Sequence, residues 1–480
     1  MSHRKTFDPS RSGCPRVRTA LLAAVAAALG CSGAQAQPVG YPPPTQNMTF
    51  SVDNQGPTAS IGIPDSFYGI PIDGGDILTP FPPGPPGPNP PAAGPLPPTG
   101  EFITNPPVGG PTVGLNIAPG QFGPVELDAL SYGHDPVDVP FPDQLKHPLY
   151  YAFSVDEFAV GLPGSAVRAE GALGNQQASA DTFIIQKPSP LPAPPVAAGG
   201  GPGTNYAFTD GDGLAPSGQP GVGLIEPNPP TPFTFGNDLG DNLDAVDFDT
   251  ALADRAGPVY FSLDSAFIDP LEVPPGGGPP PNYGTALANG FVGGDVLVGS
   301  PTPAGGPIAL YAAAGLLGLD LVAGPDSDDL DALDLWENGV AGYQPSQVPF
   351  DWLGGNTDML LFSVRRGSAL IGLPDSIWGV PIEEGDILTT PCLAGTVLPS
   401  GVVCAGTPFP GIFTGAEQLG LATVRSGTGA SWGVINPAYN ADIWADDLDA
   451  LDQKVPAPAP LALMLAGLGA LGAARRRRSV

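Results

Sequence analysis

Ile61-Gly62-Ile63-Pro64-Asp65-Ser66-Phe67-Tyr68-Gly69-Ile70-Pro71-Ile72, closing on Gly75-Asp76-Ile77-Leu78-Thr79, is written again near the other end of the chain. The second copy reads Ile371-Gly372-Leu373-Pro374-Asp375-Ser376-Ile377-Trp378-Gly379-Val380-Pro381-Ile382, closing on Gly385-Asp386-Ile387-Leu388-Thr389. Agreement of this length is internal repetition, which takes precedence over other readings of a chain.

With these copies as templates, three landmarks recur. Phe-Ser-(Val/Leu) stands at Phe50, Phe153, Phe261 and Phe362, a period of about one hundred residues. Leu-Asp-Ala-(Leu/Val) starts at Leu127, Leu243, Leu330 and Leu448. Gly-Asp-(Ile/Val)-Leu starts at Gly75, Gly294 and Gly385, and Ala180-Asp181-Thr182-Phe183 is a degenerate copy. Each landmark is a short β-branched, leucine and aromatic run bounded by Gly, Pro, Asn or Asp, which is the mark of a strand. The repeats are therefore four, at about 47–135, 148–250, 257–340 and 357–452.

One small strand unit cannot bury its own apolar face, so repetition implies stacking into a propeller or an array. The order of landmarks leaves the first Phe-Ser-Val and the last Leu-Asp-Ala without sequential partners, and pairing Phe50 with Leu448 would complete a ring. The expected fold is all-β: a four-bladed propeller over 37–452 closed by its two ends, with a linear β-array as the alternative. Pro/Gly-rich insertions begin after Leu78, Ile185 and Leu388, at one tolerant point of the unit. Polyproline-like loops need no internal hydrogen bonds and suit such a position.

Composition agrees. The 480 residues include 68 glycines and 65 prolines, more than a quarter of the chain, yet 42% are hydrophobic. Disordered chains lack that much apolar surface, so the expectation is a folded scaffold with long Pro/Gly loops. The formal net charge is -30, which repels phosphates and anionic lipid headgroups and argues against nucleic acid as a partner.

The ends carry addresses. Arg4, Lys5, Arg11, Arg16 and Arg18 precede an apolar run from Leu21 to Leu29, and Ala34-Gln35-Ala36 follows. This is a secretory signal peptide over 1–36, with small residues Ala34 and Ala36 at the cleavage site. Ala28-Leu29-Gly30-Cys31 also resembles a lipoprotein box, which leaves lipidation at Cys31 open. At the other end, Val455-Pro456-Ala457-Pro458-Ala459-Pro460 precedes an apolar stretch from Leu461 to Ala474 and then Arg475, Arg476, Arg477 and Arg478. Such a run covers only about 21 Å as a helix, short of the roughly 30 Å hydrocarbon core, and suits a transient inner-membrane anchor.

This tail, 453–480, resembles the PEP-CTERM sorting signal of Gram-negative bacteria that make extracellular polysaccharide, with Ala457 where the family has glutamate. The resemblance implies export by the secretion machinery, recognition by an exosortase, removal of the tail, and delivery to the cell surface or biofilm matrix.

Candidate chemistry is sparse. His134 and His147 are the histidines beyond the leader, and no nucleophile elbow, zinc spacing, Walker loop or dinucleotide fingerprint occurs. The reading is that the chain is not an enzyme. A carboxylate-based hydrolase stays open as the lesser alternative. The repeated Asp128, Asp244, Asp331 and Asp449 are candidate calcium ligands if a ring brings them to one axis. The other role for them is capping backbone N–H groups at strand ends and turns. Asp210-Gly211-Asp212-Gly213 is a fragment of a calcium loop without the remaining ligands. Cys392 and Cys404, twelve positions apart, are expected to form a disulfide in an oxidising compartment. The leading expectation is a structural or adhesive matrix protein, and the second a calcium-dependent module for polysaccharide.

Overall fold

The landmarks are strands, and their alternation builds four sheets. The computed structural model describes residues 48–453 apart from 54–55, 67–68, 70, 81–98, 104–112, 114, 116–125, 134–148, 157–160, 163, 172–176, 188–204, 215–217, 227–240, 249–256, 265–283, 304, 350, 399 and 432–442. The expected leader with Ala34, Ala36 and Cys31, and the sorting tail from Val455 to Arg478, lie outside the described residues. Among those described, no helix is long and apolar enough to cross a membrane.

In chain order the strands are β1 (Met48–Ser51), β2 (Ile77–Thr79), β3 (Gly100–Ile103), β4 (Ala129–Ser131), β5 (Leu149–Ser154), β6 (Thr182–Lys187), β7 (Tyr206–Thr209), β8 (Ala245–Phe248) and β9 (Val259–Ser262). They continue with β10 (Val296–Gly299), β11 (Ala309–Ala312), β12 (Leu330–Trp336), β13 (Met359–Val364), β14 (Ile387–Thr389), β15 (Gly411–Thr414), β16 (Ala430–Ser431), β17 (Ile443–Trp444) and β18 (Ala450–Gln453). Four antiparallel sheets of four strands result: β18-β1-β2-β3, β4-β5-β6-β7, β8-β9-β10-β11 and β12-β13-β14-β15, here blades one to four. The pair β16-β17 stands apart from them.

The Leu-Asp-Ala strands β18, β4, β8 and β12 are the innermost of each blade and pack on one another around a common axis. The fold is a four-bladed β-propeller. Blade one takes its inner strand from the far end of the chain, so each blade is offset by one strand from the sequence repeat. The ring closes as expected but in a different register: Phe50 pairs with Leu451 and Ser51 with Ala450, not Phe50 with Leu448. Leu448 instead precedes β18, and Gln453, assigned by sequence to the tail, is that strand's last residue.

Register explains the landmarks. Phe50, Phe153, Phe261 and Phe362 face Leu78, Phe183, Leu297 and Leu388 on the third strands. All four phenylalanines are fully buried, each in a different hydrophobic cluster at a blade junction. The two copies of the opening motif also fold alike, with a bridge between Pro64 and Pro71 matching one between Pro374 and Pro381.

The second-strand serine does something the sequence did not announce. Ser51, Ser154, Ser262 and Ser363 donate their hydroxyls to the carbonyls of Leu127, Leu243, Leu330 and Leu448 in the following blade, at 2.8, 2.9, 3.2 and 2.6 Å. Every junction, the closing one included, carries the same buried bond.

Strand direction gives the propeller two unlike faces. Inner strands start at their aspartates and run away from that end, second strands return to it, and third strands leave it again. The Pro/Gly-rich insertions after β2, β6 and β14 therefore depart from the opposite face, and so do the two chain ends at Met48 and Gln453.

Candidate axial cation site

Where the inner strands begin, the four repeated aspartates meet. Asp128, Asp244, Asp331 and Asp449 line one cavity on the axis with Asp53, Glu126, Asp156, Asn242, Asp447 and Arg365. Its volume is about 390 Å³ including the solvent at its mouth. Eight of these ten side chains are carboxylates, against one guanidinium.

Two positions per repeat supply the additional groups. Glu126, Asn242, Asp329 and Asp447 stand two residues before the inner-strand aspartate, and Asp53, Asp156, Asp264 and Arg365 follow the Ser-(Val/Leu) of the second strand. Sequence reasoning picks out Asp329 and Asp447 only as extra local negative charge and misses the others, although an acid three residues after the landmark phenylalanine recurs in three repeats.

Three residues beyond each ring aspartate lies a second tier: Ser131, Asp247, Asp334 and Asp452, all buried. Positions three apart on a strand would ordinarily face opposite ways. In blade four a register shift between Leu330 and Ala332 sets Asp331 out of the ladder, and an extra residue of that kind allows both to face the axis. Ser131 donates to Asp247 at 2.8 Å, and the Tyr132 N–H donates to Asp452 at 2.5 Å.

The ring and the capping role fall on different aspartates. Asp446 accepts from the N–H of Thr58 at 2.7 Å and of Ala422 at 2.6 Å, and Asp241 accepts from those of Thr285 and Ile225, each at 2.6 Å. Asp328 likewise accepts from Asp320 and Leu370. A Cβ on Gly284 would lie 2.0 Å from Asp241 Oδ1, so glycine is needed where that carboxylate approaches.

In contrast, Oδ2 of Asp244, of Asp331 and of Asp449 is buried without a hydrogen-bond partner. Asp244 and Asp449 are 4% and 6% exposed. Burial pushes the carboxyl pKa of all three well above the ordinary range, and neighbouring acids push further. Arg365 opposes this at Asp244 and Asp331; the largest influences on Asp449 after burial are Asp331, Asp53, Glu126 and Asp447.

Two arginines of the chain itself reach into this acidic surround. Arg365 bridges Asp264 at 2.5 Å and approaches Asp329 at 3.8 Å, while Arg366 contacts Asp53 and lies 3.9 Å from Asp447. Both arginines belong to blade four, which thereby grips blades three and one. Asp244, Asp264 and Asp329 also present carboxylate oxygens within 4.8 Å of one another.

A second acidic group lies in blade two. Asp181, Asp210 and Glu226 place carboxylate oxygens within 4.8 Å of one another, and all are buried. Burial and the neighbouring acids raise Glu226 to about 8 and Glu170 beside them to about 7. The equivalent of Asp181 in blade four, Asp386, meets Arg425 at 2.6 Å, and Arg425 also holds Glu417 at 2.9 Å. Of the Asp-Gly-Asp-Gly stretch, Asp210 belongs to this buried group, while Asp212 is half-buried beside it and accepts from the Leu214 N–H.

Cys392 and Cys404 form a disulfide with Cα atoms 6.0 Å apart, closing the loop between β14 and β15. No protein-family model matches the chain, and comparison with curated proteins and with solved structures finds no match either.

Proposed function

We propose that this chain is an exported surface protein of a Gram-negative cell, a non-enzymatic scaffold displayed in the cell envelope or the extracellular matrix. The observation that carries the reading is where the two ends leave the ring. Met48 pairs with Gln453, so the strand ends that lead toward the expected leader and tail lie side by side in blade one, on the face opposite the acidic mouth. A tail held by the inner membrane and then cut by an exosortase releases a ring already fastened to itself. The acidic mouth lies on the face opposite the strand end that continues into the tail, so the tether leaves it uncovered. The charge of -30 favours solubility outside the cell, and a disulfide suits an oxidising compartment.

The test is expression of the full chain in a Gram-negative host with and without an exosortase. The expected product with the enzyme lacks both ends by intact mass and is degraded by protease added to whole cells. Full-length protein retained inside the cell in both hosts would overturn the reading.

A further inference from the structure

We infer that the propeller axis holds one divalent cation of calcium's class, ligated at the mouth by Asp449, Asp331 and Asp244 and completed by acids from the neighbouring repeat positions. The inference goes beyond the surface-scaffold reading and stands or falls without it.

Three observations converge. First, acids collect in any chain this negative, but here the same position of four repeats is brought to one cavity by the ring itself. Second, three unpartnered oxygens, Oδ2 of Asp244, Asp331 and Asp449, are buried against that cavity. Buried polar atoms are paired almost without exception, and the pairing of a buried charge is the more stringent requirement. The adjacent Asp241, Asp328 and Asp446 take the available N–H donors of the turns, so capping does not account for the ring aspartates.

Third, the protein's own positive charge is placed asymmetrically. Arg365 reaches Asp264 and moderates Asp244 and Asp331, whereas the charges acting most on Asp449 are all acidic. Arg366 is taken up by Asp53 and Asp447, so the cation belongs beside Asp449 toward Asp331 and Glu126, balancing what the two arginines leave. The donors are oxygen throughout, with neither imidazole nor thiolate. That set suits a hard ion, and a ring assembled from separate blades, with more carboxylates than six-fold geometry needs, suits calcium over magnesium.

The experiment uses the full chain in detergent, with calcium chloride, magnesium chloride or chelator, followed by thermal unfolding and by titration calorimetry. For a chain of this size, calcium at a hundredfold excess over Kd is expected to raise Tm by about 3 °C. Magnesium at the same ionic strength is expected to do much less. In Asp449→Asn/Asp331→Asn the calcium response and the binding heat disappear, while Tm in chelator stays equal to or above that of the parent, because two uncompensated charges are gone. That rise in chelator separates loss of a ligand from failure to fold. Asp446→Asn, which weakens a cap, lowers Tm in chelator and keeps the calcium response. The inference is overturned by a parent protein without binding heat, by equal shifts with magnesium, or by a double variant that still responds to calcium.

Discussion

Each second-strand serine donates its hydroxyl across a blade junction, and a carbonyl buried there has no water to turn to when the donor is removed. Ser154→Ala is expected to cost about 1 kcal/mol, read as a shift in the urea midpoint at unchanged slope. Ser363→Ala acts at the junction between blades four and one, and the pair should add because the two sites share no partner. At this scale the sequence was partly legible. Asp128, Asp244, Asp331 and Asp449 were visible because the same triplet surrounds each, and the structure brings them to one cavity. The capping role that sequence alone could not assign falls on Asp446, three residues before Asp449, which lines the axial cavity. Arg365 was not legible at all, since it occupies a position that is aspartate in the other repeats and only the ring places it beside Asp264.

Blades two and four solve the same local problem differently. In blade four, Asp386 and Glu417 share Arg425, whereas Asp181, Asp210 and Glu226 of blade two lie among one another and beside Glu170. With folded values of about 8 for Glu226 and about 7 for Glu170, both raised from 4.5, these groups keep protons in the folded state that the unfolded chain has released. Where the folded state binds more protons, stability falls as pH rises. The contribution is thus fully present below about pH 4.5 and is lost as pH climbs through 7 to 8. In chelator, Tm is expected to decline across that interval, and Glu226→Gln to flatten the decline; a Tm that rises there, with no difference between parent and variant, would refute the account. The pairing of β5 with β6 was readable from the landmarks even where the third one is degenerate, because Phe183 occupies the slot of Leu297 and Leu388. The acidic group was not, since Asp181 and Glu226 are far apart in sequence and meet only when the blade is formed.

The whole molecule depends on one pairing between the ends of the chain. Four repeats, their strands and the fact of closure followed from the order of landmarks, but the register did not, because a ladder is set by side-chain packing that no list of motifs contains. A chain lacking residues up to Ser51 loses the partner of β18 and the Phe50 anchor. Such a deletion is expected to broaden the thermal transition and expose dye-binding apolar surface, whereas a sharp parental transition would show that the ring does not need its clasp. The clasp also sets a clock. Thr49 Oγ1 meets the Asp452 carbonyl across 403 positions of sequence, so the first strand made must wait for nearly the last. Contacts this distant form slowly because the intervening chain has to be ordered first. Until β18 has been made and released, the edge of β1 stays open to any other strand. The ring therefore closes only when the chain has reached β18, and until then the first strand has an unmet edge.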